Sequence, residues 1–131
     1  MRFGRWIIVL LVVAIAAGMA YWVMSKPAVA GYSTITAAEL SAKIDAGEKL
    51  VIVDLREPEL FSAGHVPGAR NIPFEQFNDR MSELNPGDQI VLVCHMGGMG
   101  DVSGSTLAQL GYTRVSNLAG GMGRWGGRLV K

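Results

Sequence analysis

The chain has 131 residues, 12 Lys and Arg against 11 Asp and Glu, and a formal net charge of +1. That length holds one domain with one core and leaves no room for a second. Arg2, Arg5 and Lys26 precede residue 31, so the remainder carries nine basic against 11 acidic residues, with no cluster of Lys and Arg to neutralise a phosphate backbone; no nucleic acid is expected as a partner.

From Trp6 to Met24 the chain carries no charge. As a helix rising ~1.5 Å per residue this run covers roughly 28 Å, close to a bilayer's hydrocarbon thickness. Arg2 and Arg5 precede it and only Lys26 follows closely, so the positive-inside bias orients the domain toward the exported, periplasmic side. A cleaved signal peptide is the rival reading, because Ala28-Val29-Ala30 has a small-residue cleavage pattern. The apolar run is longer than a signal peptide needs, which favours an uncleaved anchor. Either way the expectation is one N-terminal transmembrane or signal helix over 1–25, a linker over 26–32 and one domain over 33–131.

Within that domain Tyr32 to Ile35 reads as a strand, and Thr36-Ala37-Ala38-Glu39 as a capping box opening a helix that Gly47 ends. Leu50 to Asp54 (LVIVD) and Ile90 to Cys94 (IVLVC) are short β-branched runs of the kind buried on both faces of a parallel sheet. Between them, Glu57 to Ala63 reads as a helix, Ala69 to Ile72 as a strand, and Phe74 to Leu84 as an amphipathic helix stopped by Asn85-Pro86-Gly87. Ser103 to Leu110 then predicts a helix closed by Gly111, and Thr113 to Leu118 a last strand. Strands alternating with helices predict an α/β fold with a parallel sheet.

Ligands of such sheets bind beyond the carboxyl ends of the strands, where Asp54 and Cys94 stand. Cys94 is the only cysteine, so an exported domain offers it no disulfide partner. It can be a buried inert residue, a dimerising thiol or a reactive one. Cys94-His95-Met96-Gly97-Gly98-Met99-Gly100 runs from a buried strand toward a helix as a glycine-rich loop. Backbone N–H groups turned inward by such a loop form an anion nest and favour thiolate over thiol. The reactive reading is therefore preferred.

Four segments together resemble the rhodanese homology domain, a sulfurtransferase family. They are Val53-Asp54-Leu55-Arg56-Glu57, Gly64-His65-Val66-Pro67-Gly68-Ala69 with Asn71-Ile72-Pro73, Cys94 at its strand end, and Asn117-Leu118-Ala119-Gly120-Gly121. The resemblance covers roughly Ser33 to Gly127. It implies a parallel sheet of about five strands flanked by helices on both faces. It also implies that Cys94, at the base of a loop from Cys94 to Met99, cycles between thiolate and persulfide. Cys94 is then the catalytic residue, and His95, Met96, Gly97, Gly98 and Met99 bind substrate. The implied partners are a small sulfur-containing donor and a thiol or cyanide acceptor, with no metal or organic cofactor required. Asp54, Arg56 and His65 read as scaffold.

Many family members carry arginine directly after the cysteine and near the end of the loop, where this chain has His95 and Met99. The lack of both guanidinium groups weakens a dianionic donor and leaves room for a persulfide. Phosphatase relatives need Cys-x5-Arg, whereas here the sixth position after Cys94 is Gly100. Two further readings stay open: a Cu(I) binder using Cys94, His95, Met96 and Met99 as soft ligands, and a non-catalytic module used for protein contacts.

Overall fold

The computed structural model describes residues 3–24 and 31–131. Helix α1 runs over Phe3–Met24, with side chains described for 7–21. Ile7, Leu10, Val13 and Met19 are all more than half exposed, so the helix is apolar all round and its described part has no buried face. Among the described residues no helix is long and apolar enough to cross a membrane. The expected spanning helix is therefore not found among them. Arg2, Lys26 and the Ala28–Ala30 pattern lie outside the described residues.

The domain's strands are β1 (Tyr32–Ile35), β2 (Val51–Asp54), β3 (Arg70–Asn71), β4 (Ile90–Val93) and β5 (Val115–Leu118). They pair in parallel in the order β1-β5-β4-β2-β3. The helices are α2 (Ala37–Asp45), α3 (Pro58–Ala63), α4 (Phe77–Arg80) and α5 (Gly98–Gln109). The expected α/β parallel sheet of five strands is the observed one.

Side chains alternate across a strand, and β4 shows what this does. Ile90, Leu92 and Cys94 enter one core cluster with Val53, Phe77, Leu107 and Tyr112, while Val91 and Val93 enter the other with Ile35, Leu40, Ile52 and Leu118. All four β4 residues are buried. The sheet is therefore covered on both faces, and each fully buried Leu or Ile contributes roughly 1.5–3 kcal/mol of transfer free energy.

The capping box forms as expected. Glu39 N–H donates to Thr36 Oγ1 at 3.2 Å and Thr36 N–H donates to Glu39 Oε2 at 2.8 Å. Two helices differ from expectation. Phe74 to Leu84 is a single-turn α4 between 3₁₀ turns at Phe74–Gln76 and Met81–Glu83. Here the Tyr112 hydroxyl donates to Leu84 O at 2.9 Å and Met81 O at 3.3 Å, tying this segment's carbonyls to a distant side chain. The helix expected from Ser103 starts instead at Gly98. Asp101 N–H already donates to Gly97 O at 3.0 Å, so Gly98 and Met99 are first-turn helix residues and not loop.

Candidate active site

β2 leads outward to β3, and β4 leads outward in the other direction to β5. The chain therefore reverses its winding between β2 and β4, and such a switch point opens a crevice at the strands' carboxyl ends. Asp54 ends one of these strands and Cys94 follows the other.

Cys94 is 1 % exposed, and Gly97 N–H donates to its Sγ at 3.0 Å. Among the described residues this is the amide that reaches the sulfur. The loop carbonyls are drawn the other way, because Met122 N–H donates to Cys94 O at 2.8 Å and Gly123 N–H to His95 O at 3.0 Å. Both donors lie in the 3₁₀ turn Gly121–Arg124. Gly121 is required there, since its φ is +57° and a β-carbon would lie 2.3 Å from Cys94 O. The Gly120-Gly121 motif thus clamps the loop from outside.

His95 Nε2 and Glu57 Oε2 lie 2.8 Å apart. A hydrogen bond from the residue's own backbone N–H, and then the His95 side chain, hold the Glu57 carboxyl below the usual carboxylate range. Glu57 is placed by the segment before it. Asp54 and Arg56 form a buried pair, Nη2 to Oδ2 at 2.8 Å and Nε to Oδ1 at 3.0 Å. Arg56 Nη2 also donates to Gly64 O, and Asn71 Nδ2 to the carbonyls of Asp54 and Arg56. These contacts are scaffold, as expected. His65 stacks on Phe61 and bonds its carbonyl through Nδ1 at 2.9 Å, which fits the turn-fixing reading.

The other expected binding residues diverge. Met96 is 77 % exposed, Gly98 is exposed on the first turn of α5, and Met99 packs against the core cluster that holds Cys94. Of the four soft ligands weighed for Cu(I), His95 is paired with Glu57 and Met96 is turned to solvent, while Cys94 and Met99 share one core cluster. Among the described residues no group of three or more His, Cys, Asp or Glu could hold a metal ion. A cleft of about 530 Å³ is lined by Thr36, Ala37, Ala38, Ala119, Gly120 and Arg124 and includes no residue of the Cys94–Met99 loop.

Glu57, Asp101 and Asn117 were not expected as parts of the site. The one available signal was Asn117, a polar residue two places after the apolar Val115 and so on the same, inward face of the last strand. It is 2 % exposed.

Residues 36–128 match the sequence model of the Rhodanese-like domain. The chain is 36% identical over 86 residues to the "Putative sulfur carrier protein YrkF" of Bacillus subtilis, covering 66% of this chain and 46% of that protein. It is 33% identical over 91 residues to a protein named "Sulfurtransferase" of Allochromatium vinosum, covering 70% and 85%. A crystal structure of a rhodanese-like domain protein from Staphylococcus aureus superposes with a TM-score of 0.68 at 29% identity, covering 76% of this chain and 96% of that one. The chain spans 46% and 64% of the lengths of two B. subtilis relatives, less than two thirds in each case. By the matched profile, the sheet order and the cysteine at the switch point, the chain belongs to the rhodanese-like domain family.

Proposed function

We propose that this protein is a sulfurtransferase that carries sulfane sulfur on Cys94. The observation that carries the reading is the Gly97 N–H aimed at Sγ from 3.0 Å, at the carboxyl end of a central strand, because a donor fixed there stabilises negative sulfur before and after the reaction. The names of relatives agree in kind: a sulfurtransferase, a sulfur carrier and thiosulfate sulfurtransferases.

Cys94 thiolate attacks the outer sulfur of the donor, a new S–S bond forms, and the donor's own S–S bond breaks with its electron pair leaving on sulfite or a thiolate. An acceptor thiolate or cyanide then attacks the outer sulfur of the Cys94 persulfide and returns the cysteine as thiolate. The sulfur is nearly closed off in the resting fold. Gly97 and Gly98 put no side chain in the way.

The donor favoured is a persulfide over thiosulfate. The loop from Cys94 to Met99 holds no guanidinium, and the Glu57 carboxylate stands beside His95. Charge-assisted hydrogen bonds of about 1.5–3 kcal/mol each are therefore not on offer to a dianion.

The N-terminal segment belongs to the same proposal: α1 attaches the domain to a membrane, with the domain on the exported side. The uncharged run from Trp6 to Met24 behind Arg2 and Arg5 supports this, as does the all-round exposure of apolar side chains on α1. A reporter fused after Lys131 should be active only on the exported side, and activity only in the cytoplasm would refute it.

To test the activity, the purified chain is incubated with a small persulfide or with thiosulfate and its mass measured. A gain of one sulfur on Cys94, discharged by an added thiol, is the expected result. No gain with either donor would remove the reading and leave a non-catalytic module.

A further inference from the structure

Behind the Cys94 loop lies a chain of polar groups that the chemistry above does not use. Asn117 is buried in β5, and its Nδ2 donates to Gly97 O at 2.8 Å and to Asp101 Oδ1 at 2.9 Å. Asp101 Oδ1 also accepts from the Tyr32 hydroxyl, and Asp101 N–H donates to Gly97 O at 3.0 Å. Gly97 is thus gripped at its carbonyl by Asn117 and by the first turn of α5, while its N–H points at Cys94 Sγ from 3.0 Å. Gly97 is in the left-handed region, with φ +107°, where a glycine left unrestrained has many other conformations open to it.

We propose that Asp101 and Asn117 are positioning residues for the nucleophile: together they hold Gly97 in the orientation that aims its N–H at Cys94 Sγ. Asp101 keeps Asn117 in place by taking one of its N–H groups, and Asn117 spends the other on the Gly97 carbonyl. Tyr32 completes the anchor. Burial and the Asp101 carboxylate push the Tyr32 hydroxyl well above the usual phenol range, so it remains a donor to Asp101 at any working pH. Neither Asp101 nor Asn117 meets the reacting atoms; both act through Gly97.

This inference rests on Cys94 being the nucleophile, and its test reads the sulfur without any donor or acceptor. The full-length chain, Asp101→Ala and Asp101→Asn are alkylated with iodoacetamide at pH 7, with folding checked by circular dichroism. Asp101→Ala removes the acceptor that holds Asn117 and should slow alkylation about tenfold, the worth of one positioned hydrogen bond to a charged sulfur. Asp101→Asn keeps an oxygen for Asn117 and Tyr32 and should stay within about twofold of wild type. A carboxylate acting only by its charge predicts the opposite, since removing it by either substitution would speed alkylation. Wild-type or faster alkylation in Asp101→Ala, or equal slowing in both variants, overturns the proposal. Should Asp101→Ala fail to fold, Tyr32→Phe carries the test, because it removes only a hydroxyl. Slowing of about twofold or more supports the proposal there, and an unchanged rate overturns it. If wild type takes up no sulfur yet Asp101→Ala is slowed, the sulfurtransferase reading fails and the positioning role stands. If wild type takes up sulfur and Asp101→Ala alkylates normally, the positioning role alone fails.

Discussion

Asn117 occupies the space that a side chain at position 100 would need: a β-carbon on Gly100 would lie 1.9 Å from Asn117 Oδ1. The arginine of a Cys-x5-Arg phosphatase loop therefore has no room at this position while Asn117 holds Gly97. Glycine here is a packing requirement as well as a missing charge.

Gly100→Ala should displace Asn117 and destabilise the fold by about 1–3 kcal/mol, the usual range for overpacking a filled site. Urea denaturation measures the loss, and iodoacetamide should show slower alkylation of Cys94 alongside it. Unchanged stability would mean that Asn117 moves freely.

Cys94→Ser should lose all sulfur uptake, because a neutral serine hydroxyl neither attacks nor holds sulfane sulfur as a thiolate does. The serine oxygen can still accept from Gly97 N–H, and the side chain sits in a filled core. Stability should fall by only about 1 kcal/mol, the lower end for burying a hydroxyl. Sulfur transfer persisting in this variant would move the chemistry elsewhere.

Glu57→Gln should lower the KM for thiosulfate. Glu57 is exposed and paired with His95 at 2.8 Å, so the substitution removes one negative charge from the mouth whether His95 is protonated or neutral. For a dianion several ångströms away in a water-like dielectric the gain is about threefold to tenfold. It should shrink in high salt. A raised KM would mean that the Glu57 carboxylate positions the donor and does not repel it.

Arg56→Ala should destabilise by about 3–5 kcal/mol, because it leaves Asp54 buried at 0 % exposure without its partner. It also frees Gly64 O. Replacing the pair together, Asp54→Leu with Arg56→Met, should cost less than Arg56→Ala alone. A larger loss in the double variant would show that the Asp54 contact to Arg56 N–H matters independently.

Stability should also carry a signature of the α2 cap at low pH. The Thr36 backbone N–H and then its side chain hold the Glu39 carboxyl below the usual carboxylate range. A carboxyl lowered by folding stabilises above its unfolded value, and that contribution is lost as pH falls through the folded one. The stability difference between wild type and Glu39→Gln should be full at pH 7 and fade below about pH 4. A difference that grows on acidification would contradict the capping box.

The local pattern of the chain was enough to determine the class of fold. Apolar runs at 50–54 and 90–94, the Thr36–Glu39 cap and the glycine stops define alternating strands and helices, because each depends on neighbours within a few residues. Cys94 at a strand end before a glycine-rich stretch was legible for the same reason. What only the tertiary structure decided was which groups meet across the sequence. Gly98 and Met99 belong to α5 because Gly97 O is taken by Asp101, and Phe74 to Leu84 breaks into turns where Tyr112 takes its carbonyls. Glu57 reaches His95 across 38 positions, and Asn117 reaches Gly97 across 20. Hydrogen bonds of that separation leave no period or spacing in a sequence. They exist because the parallel sheet brings β2, β4 and β5 side by side and ends them at one crevice.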